Sequence, residues 1–576
     1  MTHSPDPSGL DRRAVLSAGG AALLVSGLPP VARVAASPGP GVATGLVTGP
    51  AAGPAPVVAT ASGKVQGAAG DGVARFLGIP YAQPISGARR FAPLAAPSPW
   101  DGIFAADRHA DLAPQGPEPV EGSPVTPAFA PPEGVEAGED CLALNIWTPA
   151  AALGGAERLP VMVWLHGGGW QSGSGSCAIH DGTRLASRGD VVAVTLNHRL
   201  GAHGLTDFSR VLGGDWAQSA NPSVKDMIAA LEWVRDNIAA FGGDPDCVTI
   251  FGESGGGWKV NTLLASPAAE GLFHRAVVQS GPLTRFLAPD AADAVARRML
   301  DALGIDPAAP GALHDVTMGQ VLAAEAEVMK AFPLMGGVPG MPRGFWPVLE
   351  AGLLPTHAWD PEAAPPARTV PLMVGQTGTE MSLFMAADQA AWTLDEAGLA
   401  ARVEGLVGPG DGAWILAAYG ADFPAYGPSA LWFRILSDFM MGALSAGILD
   451  AHAAAGGAPT WAYRFEWMTP IADGTLWSPH TIEIPFVFDN VATGAGRIMT
   501  GGGAGAEALA EQVSEAWVQF ARTGRPAAPG LPDWPEYRAD DAAAMHLDSA
   551  SAVRPYMDGR AAGLFQRMIR DRAGLD

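Results

Sequence analysis

Three short, mostly apolar runs constrain the fold of this chain more than any other feature of its sequence. They cover residues 161–165, 191–196 and 248–251. Strands that are apolar on both faces are typical of a parallel sheet that helices cover on both sides. Between the last two runs, apolar residues recur at steps of four, three and four and predict a helix with one buried face. These residues are Met227, Leu231, Val234 and Ile238.

The same alternation continues toward the end of the chain. Further strands are predicted at residues 276–278, 370–374 and 461–467, and a late helix is predicted at residues 509–520. Hydrophobic residues make up 48% of the chain and charged residues only 16%, so the chain can bury a large core. Together these patterns predict an α/β fold with a mostly parallel, doubly wound sheet and helices on both faces.

The first 36 residues are predicted to be an export signal rather than part of this fold. Arg12 and Arg13 precede an apolar run at residues 14–28, and small residues follow at 34–36. A charged start, a short apolar middle and a small-residue end are typical of a secretory leader, and the run is too short to span a bilayer. The arginine pair favours a twin-arginine signal, and an ordinary Sec leader is the alternative.

Residues 37–56 are rich in proline, glycine and alanine and are predicted to form a flexible linker. Because the composition stays uniform after the linker, residues 57–576 are predicted to form a single domain without internal repeats. No later run is apolar and uninterrupted enough to predict a transmembrane helix. We therefore expect the mature protein in the periplasm or the medium, with no stable membrane anchor once the leader is removed.

Charge and cysteine content argue against several classes of partner and cofactor. The chain has 35 Lys and Arg against 58 Asp and Glu, a net charge of −23. Nucleic acids and anionic membranes require a basic patch on their protein partners, so neither is expected to bind. Three cysteines cannot form a disulfide scaffold, and no Cys/His cluster has the spacing of a zinc site. No metal or organic cofactor is expected, and the oligomeric state is left open.

The sequence Gly252-Glu253-Ser254-Gly255-Gly256 lies between the apolar run 248–251 and a segment at 258–264 that can be helical. A G-x-S-x-G motif between a strand and a helix is typical of a nucleophile elbow. The turn is so tight that its flanks must be glycine, and the serine takes a strained conformation that exposes its hydroxyl. The start of the following helix directs its positive dipole end toward developing negative charge. The motif predicts Ser254 as a nucleophile.

A second glycine-rich segment, His166-Gly167-Gly168-Gly169-Trp170, follows the run 161–165. Consecutive glycines let bare backbone amides face a carbonyl oxygen, as an oxyanion hole requires. An ordinary glycine-rich turn is the alternative. The nearby elbow motif favours the oxyanion hole.

Further stretches of known pattern span nearly all of the chain after the leader: residues 76–82, 139–145, 197–201, 241–245 and 248–254. In these stretches the chain resembles the type B carboxylesterase family of α/β-hydrolases, which includes bacterial carboxylesterases and the cholinesterases. The resemblance implies an α/β-hydrolase fold with helical and loop insertions around the active site. It also implies that Ser254 is the nucleophile and that the amides of Gly168, Gly169 and Gly255 form the oxyanion hole. Gly255 stands where the family usually has alanine.

In α/β-hydrolases the acid and then the histidine follow the nucleophile along the chain. The resemblance implies that Glu380 is the acid, because it ends a G-x-x-x-x-E pattern after a predicted strand. It likewise implies that His480, at the start of residues 480–488, is the base. Thr379 and Met381 depart from the Asp and Gly that the family often has beside this glutamate. An exposed loop carboxylate is the alternative for Glu380.

Four other residues have two candidate roles each. Ser280 occupies a position where the family often has a serine near the acid, and it either supports the acid or serves packing. Three aromatic residues line either the substrate pocket or the core. These are Trp170, Trp258 and Phe384.

Cys141 marks a departure from the family that bears on the substrate entrance. In much of the family this cysteine pairs with an upstream cysteine, but here the other two are Cys177 and Cys247, both downstream. Because no cysteine precedes Cys141, we expect the disulfide that much of the family forms at this position to be absent. We expect residues 110–138 to form a loop that no disulfide closes and that shapes the entrance to the substrate site.

The expected function is that of an exported serine hydrolase that cleaves small-molecule carboxylic esters through a Ser-His-Glu acyl-enzyme mechanism. One alternative keeps the triad but cleaves a carbamate, an amide or a specialised toxin ester. Another is a non-catalytic binding protein on the same fold, although such family members lose the serine. An acyl-CoA thioesterase is disfavoured because the leader removes the protein from that substrate.

Overall fold

The computed structural model describes residues 55–116, 123–332, 337–385, 388–408 and 410–575. All of these residues belong to the unit Gly49–Asp576. The predicted leader, residues 1–36, and nearly all of the linker lie outside the described residues. The division into leader, linker and domain stays a prediction.

The fold is built on a large sheet and a small one. The strands are β1 (Val57–Thr60), β2 (Gly63–Gln66), β3 (Ala68–Gly70), β4 (Val73–Pro80), β5 (Ile103–Ala105), β6 (Ala143–Pro149), β7 (Leu159–Leu165), β8 (Val192–Leu196), β9 (Gly243–Glu253), β10 (Arg275–Gln279), β11 (Leu372–Thr377), β12 (Thr460–Phe465), β13 (Ala543–Leu547) and β14 (Ala552–Pro555). Among the described residues, the large sheet has 11 strands in the order β14-β13-β12-β11-β10-β9-β7-β8-β6-β4-β3, and the small sheet has the order β1-β2-β5.

The α-helices lie between the strands along the chain, and the last helix follows the last strand. They are α1 (Thr183–Gly189), α2 (Gly201–Leu205), α3 (Ser209–Leu212), α4 (Pro222–Asn237), α5 (Gly255–Leu264), α6 (Pro289–Leu303), α7 (Met318–Met329), α8 (Met381–Phe384), α9 (Glu396–Val407), α10 (Gly412–Asp422), α11 (Pro428–Ser437), α12 (Ala443–Ala455), α13 (Ile484–Val487), α14 (Gly494–Thr500), α15 (Ala504–Thr523) and α16 (Gly559–Ala573).

The centre of the large sheet is parallel, as the apolar runs predict. Strands β8, β7, β9, β10, β11, β12 and β13 each run parallel to their neighbours in that series. The outer strands β3, β4, β6 and β14 pair antiparallel. The prediction of a mostly parallel α/β sheet is confirmed.

Strand β7 shows why its residues form a strand buried on both faces. Val161, Val163 and Leu165 join one hydrophobic core, whereas Met162 and Trp164 join a second core on the opposite face. Successive side chains of a strand point to opposite faces, so an uninterrupted apolar run satisfies both cores.

One predicted helix lies on each face of the sheet. Met227 and Leu231 of α4 belong to the core that contains Val161, and Trp517 of α15 belongs to the core that contains Met162. The periodic apolar faces predicted from the sequence are therefore the buried faces of these helices.

The predicted strand at 461–467 differs in detail, because β12 ends at Phe465 and all six of its residues are buried. Arg464 is fully buried, and its Nη1 donates to Asp438 Oδ1 at 2.8 Å. A partner from a distant helical segment thus compensates this charged side chain in the core.

One helical stretch among the described residues, Pro428–Ala455, is long and apolar enough to cross a membrane by length and composition alone. The sequence did not predict it, since Arg434 and Asp438 interrupt the run. In the fold, 72% of the most apolar 18-residue stretch of this helical segment is buried, as expected for a core helix.

The parallel strands bring the functional segments to one edge of the sheet. Strand β7 ends just before the glycine segment 166–170, β9 ends just before Ser254, and β11 ends three residues before Glu380. Ligands of open parallel sheets bind at the carboxyl ends of the strands.

Candidate active site

Ser254 lies in a sharp turn between β9 and α5. Its backbone has φ 58° and ψ −123°, a conformation that costs free energy for any residue other than glycine. Its amide donates to Gln279 O at 2.8 Å, which holds the turn against β10. A Cβ atom on Gly252 would lie 2.6 Å from Leu165 O, and one on Gly256 would lie 2.0 Å from the same atom. The flanking glycines are thus sterically required, and the turn has the geometry of a nucleophile elbow.

The glycine segment lies directly against the start of α5. Gly168 and Gly169 have φ values of 84° and 62°, which side chains disfavour. A Cβ atom on Gly255 would lie 2.2 Å from Gly169 O and 2.4 Å from Gly169 N, so alanine would not fit there without a shift. Within the described part of the chain, the amides of these three glycines donate no hydrogen bond. They are available as donors to a ligand, as an oxyanion hole requires.

Glu380 and His480 are hydrogen-bonded to each other. His480 Nδ1 lies 2.5 Å from Glu380 Oε2. The other carboxylate oxygen, Oε1, accepts from Ser280 Oγ at 2.6 Å and from the Thr377 amide at 2.7 Å. Glu380 is fully buried, which excludes the exposed loop carboxylate. Because Nδ1 donates to Glu380, the free lone pair of the neutral imidazole is on Nε2.

Nε2 of His480 faces the nucleophile elbow. It lies 3.3 Å from Oε1 of Glu253, the residue directly before Ser254. It makes no hydrogen bond with any described residue, and this includes Ser254 Oγ. The structure therefore brings Glu380 and His480 together and sets them beside the elbow. Catalytic hydrogen bonds are often formed fully only when substrate is bound.

Two buried glutamates to which the sequence analysis gave no role act electrostatically on this imidazole. Glu253 is one, and Glu483, three residues after His480, is the other. Glu483 Oε1 accepts from Gln279 Nε2 at 3.1 Å and from Tyr463 Oη at 2.9 Å. Both glutamates lie within motifs that the sequence displays, but the motifs alone do not indicate that three carboxylates converge on one histidine.

The pKa values of His480, Glu253 and Glu483 are all shifted in this cluster. Burial acts to lower the pKa of His480, but the charges of Glu253 and Glu380 outweigh it and raise that pKa to about 9. Burial raises the pKa of Glu253 to about 7, against the attraction of His480. Burial, with repulsion from Glu253 and Glu380, raises the pKa of Glu483 to about 8. The groups titrate as a coupled set in which negative charge stabilises the imidazolium.

The aromatic candidates divide between the site and the core. Trp170 is fully buried. Trp258 is partly exposed, packs against Trp346 with ring centroids 4.6 Å apart, and lies 3.4 Å from the position of a Cβ atom on Gly169. The ring of Phe384 lies 4.9 Å from that of His480. Trp258 and Phe384 thus adjoin the site, whereas Trp170 serves packing.

The loop 110–138 adjoins the glycine segment, although residues 117–122 lie outside the described residues. Gln115 Oε1 accepts from the Gly173 amide at 2.8 Å, and its Nε2 donates to Gly173 O at 3.2 Å. Cys141 is a free thiol, so it does not close this loop through a disulfide. The role of the loop at the entrance stays a prediction.

No group of three or more His, Cys, Asp or Glu side chains among the described residues is arranged to hold a metal ion.

Comparisons with known proteins agree on one family. The model of the carboxylesterase family matches residues 54–399 and 429–561. The para-nitrobenzyl esterase of Bacillus subtilis (strain 168) is 34% identical over 509 residues, which cover 86% of this chain and 96% of that protein. Phenmedipham hydrolase of Pseudarthrobacter oxydans is 32% identical over 504 residues, with coverage of 86% and 96%. A solved carboxylesterase structure from Geobacillus stearothermophilus matches with a TM-score of 0.73 at 35% identity, covering 88% of this chain and 100% of that one.

Proposed function

Because the chain belongs to the carboxylesterase family and is a serine hydrolase of carboxylic esters, we propose that Ser254, His480 and Glu380 form its catalytic triad. The observation that carries this proposal is the buried hydrogen bond between Glu380 and His480 beside the strained elbow at Ser254.

In the first step, Ser254 Oγ attacks the carbonyl carbon of the ester while His480 Nε2 takes the hydroxyl proton. The carbonyl oxygen becomes an oxyanion, and the amides of Gly168, Gly169 and Gly255 donate to it. Loss of one such donor typically lowers kcat about 10²–10³-fold. The elbow presents the hydroxyl at the start of α5, where the helix dipole also favours negative charge.

The tetrahedral intermediate then collapses and releases the alcohol, which is protonated by His480 Nε2. The acyl group remains on Ser254 Oγ. Water then attacks the acyl-enzyme, His480 takes a proton from that water, and the acid departs as Oγ regains a proton. Every proton therefore passes through one imidazole nitrogen, and none of these steps uses a metal or organic cofactor.

Glu380 fixes the imidazole so that Nε2 carries the free lone pair, and its charge stabilises the imidazolium that forms. Ser280 and the Thr377 amide both donate to Glu380 Oε1, so the carboxylate is held by three hydrogen bonds. The carboxylate cannot rotate without breaking them. Ser280 therefore acts as a positioning residue for the acid, which supports the first of its two candidate roles.

We further propose that the protein is exported and acts on a small-molecule ester outside the cytoplasm. The leader pattern at residues 1–36 supports export. The relevant experiment expresses the full chain with and without Arg12→Lys and Arg13→Lys, and then assays periplasm and medium. Activity outside the cytoplasm that depends on the arginine pair supports a twin-arginine signal, and activity confined to the cytoplasm contradicts export.

A hydrolysis screen tests the proposed chemistry. The purified protein is assayed with p-nitrophenyl esters of increasing acyl length, with a matched amide, and with phenmedipham because one relative is named for that substrate. Ester hydrolysis that is lost in Ser254→Ala, with the fold retained, is the expected result. Preferred cleavage of phenmedipham or the amide by the same serine would favour the alternative substrate classes. Ester hydrolysis by the pure, folded Ser254→Ala variant would contradict the triad.

A further inference from the structure

Lys259 is a fully buried lysine in the helix that follows the proposed nucleophile. It lies on α5, five residues after Ser254. Lysine is almost never fully buried unless its ammonium is hydrogen-bonded, because transfer of a charge out of water costs free energy. The position of this side chain therefore calls for a reason beyond packing.

The side chain of Lys259 contacts both ends of the glycine segment. Its Nζ donates to His166 O at 2.6 Å, and the same atom lies 5.7 Å from the ring centroid of Trp170, within the range of a cation–π interaction. His166 and Trp170 are the residues that bracket Gly167, Gly168 and Gly169.

The glycines between these contacts have no side chains through which they could be fixed. Gly168 and Gly169 both have positive φ, and their position depends in part on what holds the two ends of the segment. Gly169 also lies against Gly255 at a distance that leaves no room for a Cβ atom. Helix α5 and the glycine segment thus contact each other at two positions. Gly255 lies against Gly169, and Lys259 is hydrogen-bonded to His166.

The histidines near Lys259 are uncharged near neutral pH. His166, His180 and His198 lie near this lysine, and burial first, with the charge of Lys259 in addition, lowers the pKa of each. These imidazoles are therefore neutral near pH 7.

We propose that Lys259 is a positioning residue for the oxyanion hole, which anchors the carbonyl of His166 to α5 and so keeps the amides of Gly168 and Gly169 aligned with that of Gly255. The inference rests on the proposed function, since it assigns Lys259 a part in stabilising the oxyanion of the same ester hydrolysis.

The test replaces Lys259 with methionine, which has a similar length but neither donates a hydrogen bond nor carries a charge. We measure kcat and KM for a p-nitrophenyl ester, and Ki for a trifluoromethyl ketone, which forms a tetrahedral oxyanion on the serine. Lys330→Met is the matched control, because Lys330 is exposed on the surface and pairs only with Glu327 in the described residues. The expected result for Lys259→Met is a fall in kcat of about 10-fold to 100-fold, with KM changed by no more than about twofold. The Ki of the ketone should rise by the same factor as kcat/KM falls.

A lysine that only stabilises the core would lower the unfolding midpoint but leave kcat and the ketone affinity unchanged. That result in a folded Lys259→Met variant overturns the proposal. If this variant does not fold, Lys259→Gln, which is uncharged but still polar, is measured in the same way with the same expected direction. Failure of both variants to fold would identify Lys259 as a core residue and would also overturn the proposal. Absence of ester turnover in the wild-type protein would instead be a failure of the proposed function.

Discussion

Glu253 Oε1 lies 3.3 Å from His480 Nε2. The residue directly before the proposed nucleophile therefore faces the nitrogen that must accept the proton of the Ser254 hydroxyl. A second carboxylate, that of Glu380, holds the opposite ring nitrogen at 2.5 Å. The imidazole thus lies between two buried negative groups. This arrangement stabilises the imidazolium that forms when Ser254 attacks, and it also raises the pH at which the free base becomes available.

The first prediction concerns the pH dependence of kcat/KM. Because neighbouring carboxylates raise the pKa of His480 to about 9, the acid limb of the wild-type profile should lie above the ordinary histidine value of 6.5. Glu253→Gln removes one negative charge, which lowers the pKa of His480. The base then loses its proton at lower pH, so the acid limb should move to lower pH. Steady-state kinetics across the pH range measure this shift.

Glu232→Gln serves as the control, because Glu232 is exposed on α4 and should leave the profile unchanged. An acid limb that stays in place in Glu253→Gln would show that this carboxylate does not influence the catalytic base.

The second prediction concerns Glu380. Glu380→Gln retains the shape of the side chain but removes its charge, and the amide can donate to Nδ1 and so favour the wrong tautomer. We expect kcat to fall about 10²–10⁴-fold with little change in KM, by analogy with loss of the acid in other serine hydrolase triads. Glu396→Gln, at an exposed position at the start of α9, is the control. Activity of Glu380→Gln within about twofold of wild type would remove Glu380 from the triad.

The third prediction concerns the contact between Gly255 and Gly169. The family that this chain resembles usually has alanine at position 255, yet here a Cβ atom would lie 2.2 Å from Gly169 O. In Gly255→Ala the glycine segment must therefore move, and we expect kcat to fall by about 10-fold or more because misplaced donors lose much of their effect.

Gly319→Ala is the matched control, since nothing lies within 4 Å of a Cβ atom at that position on α7. If Gly255→Ala keeps wild-type kcat and KM, the segment adapts to the added methyl group without cost. The close contact would then have no bearing on catalysis.

The fourth prediction concerns stability rather than activity. Burial raises the pKa of Glu325 from 4.5 to about 7, although the Ala202 amide donates to this carboxylate. A raised folded-state pKa stabilises the fold below pH 4.5, and this contribution is lost as the pH rises toward 7. It amounts to about 3 kcal/mol at most. Glu325→Gln stays neutral, so its free energy of unfolding relative to wild type should be higher at about pH 8 than at about pH 5.

Urea unfolding of both proteins at the two pH values measures this difference. A Glu325→Gln variant whose stability relative to wild type is the same at both values would contradict it.

Local patterns predicted much of this fold, because a strand buried on both faces or a very tight turn restricts which residue types a short stretch can contain. The apolar run of β7 satisfies the cores on both faces of the sheet, and the glycines beside Ser254 are required by contacts with Leu165 O. Glu380 and His480 were predicted from the resemblance, and the structure places them in a hydrogen bond although they are 100 residues apart.

Other features depend on contacts between distant segments, and local pattern does not report those. Arg464 alternates with apolar neighbours as an exposed residue would, but Asp438 binds it in the core. Trp170 and Trp258 look alike as pocket candidates, and only the packing of the glycine segment against α5 separates them. Lys259 carries no motif at all, since its partner is a main-chain carbonyl 93 residues earlier in the chain.

Covalent labelling with a fluorophosphonate tests the central claim most directly. Ser254 Oγ should displace fluoride from phosphorus, and peptide mapping by mass spectrometry should find the phosphonyl group on Ser254 at one equivalent per chain. Labelling should disappear in Ser254→Ala and slow strongly in His480→Ala, because the hydroxyl then lacks its base. A label on another residue, or none on a folded and otherwise intact protein, would contradict the assignment of Ser254 as the nucleophile.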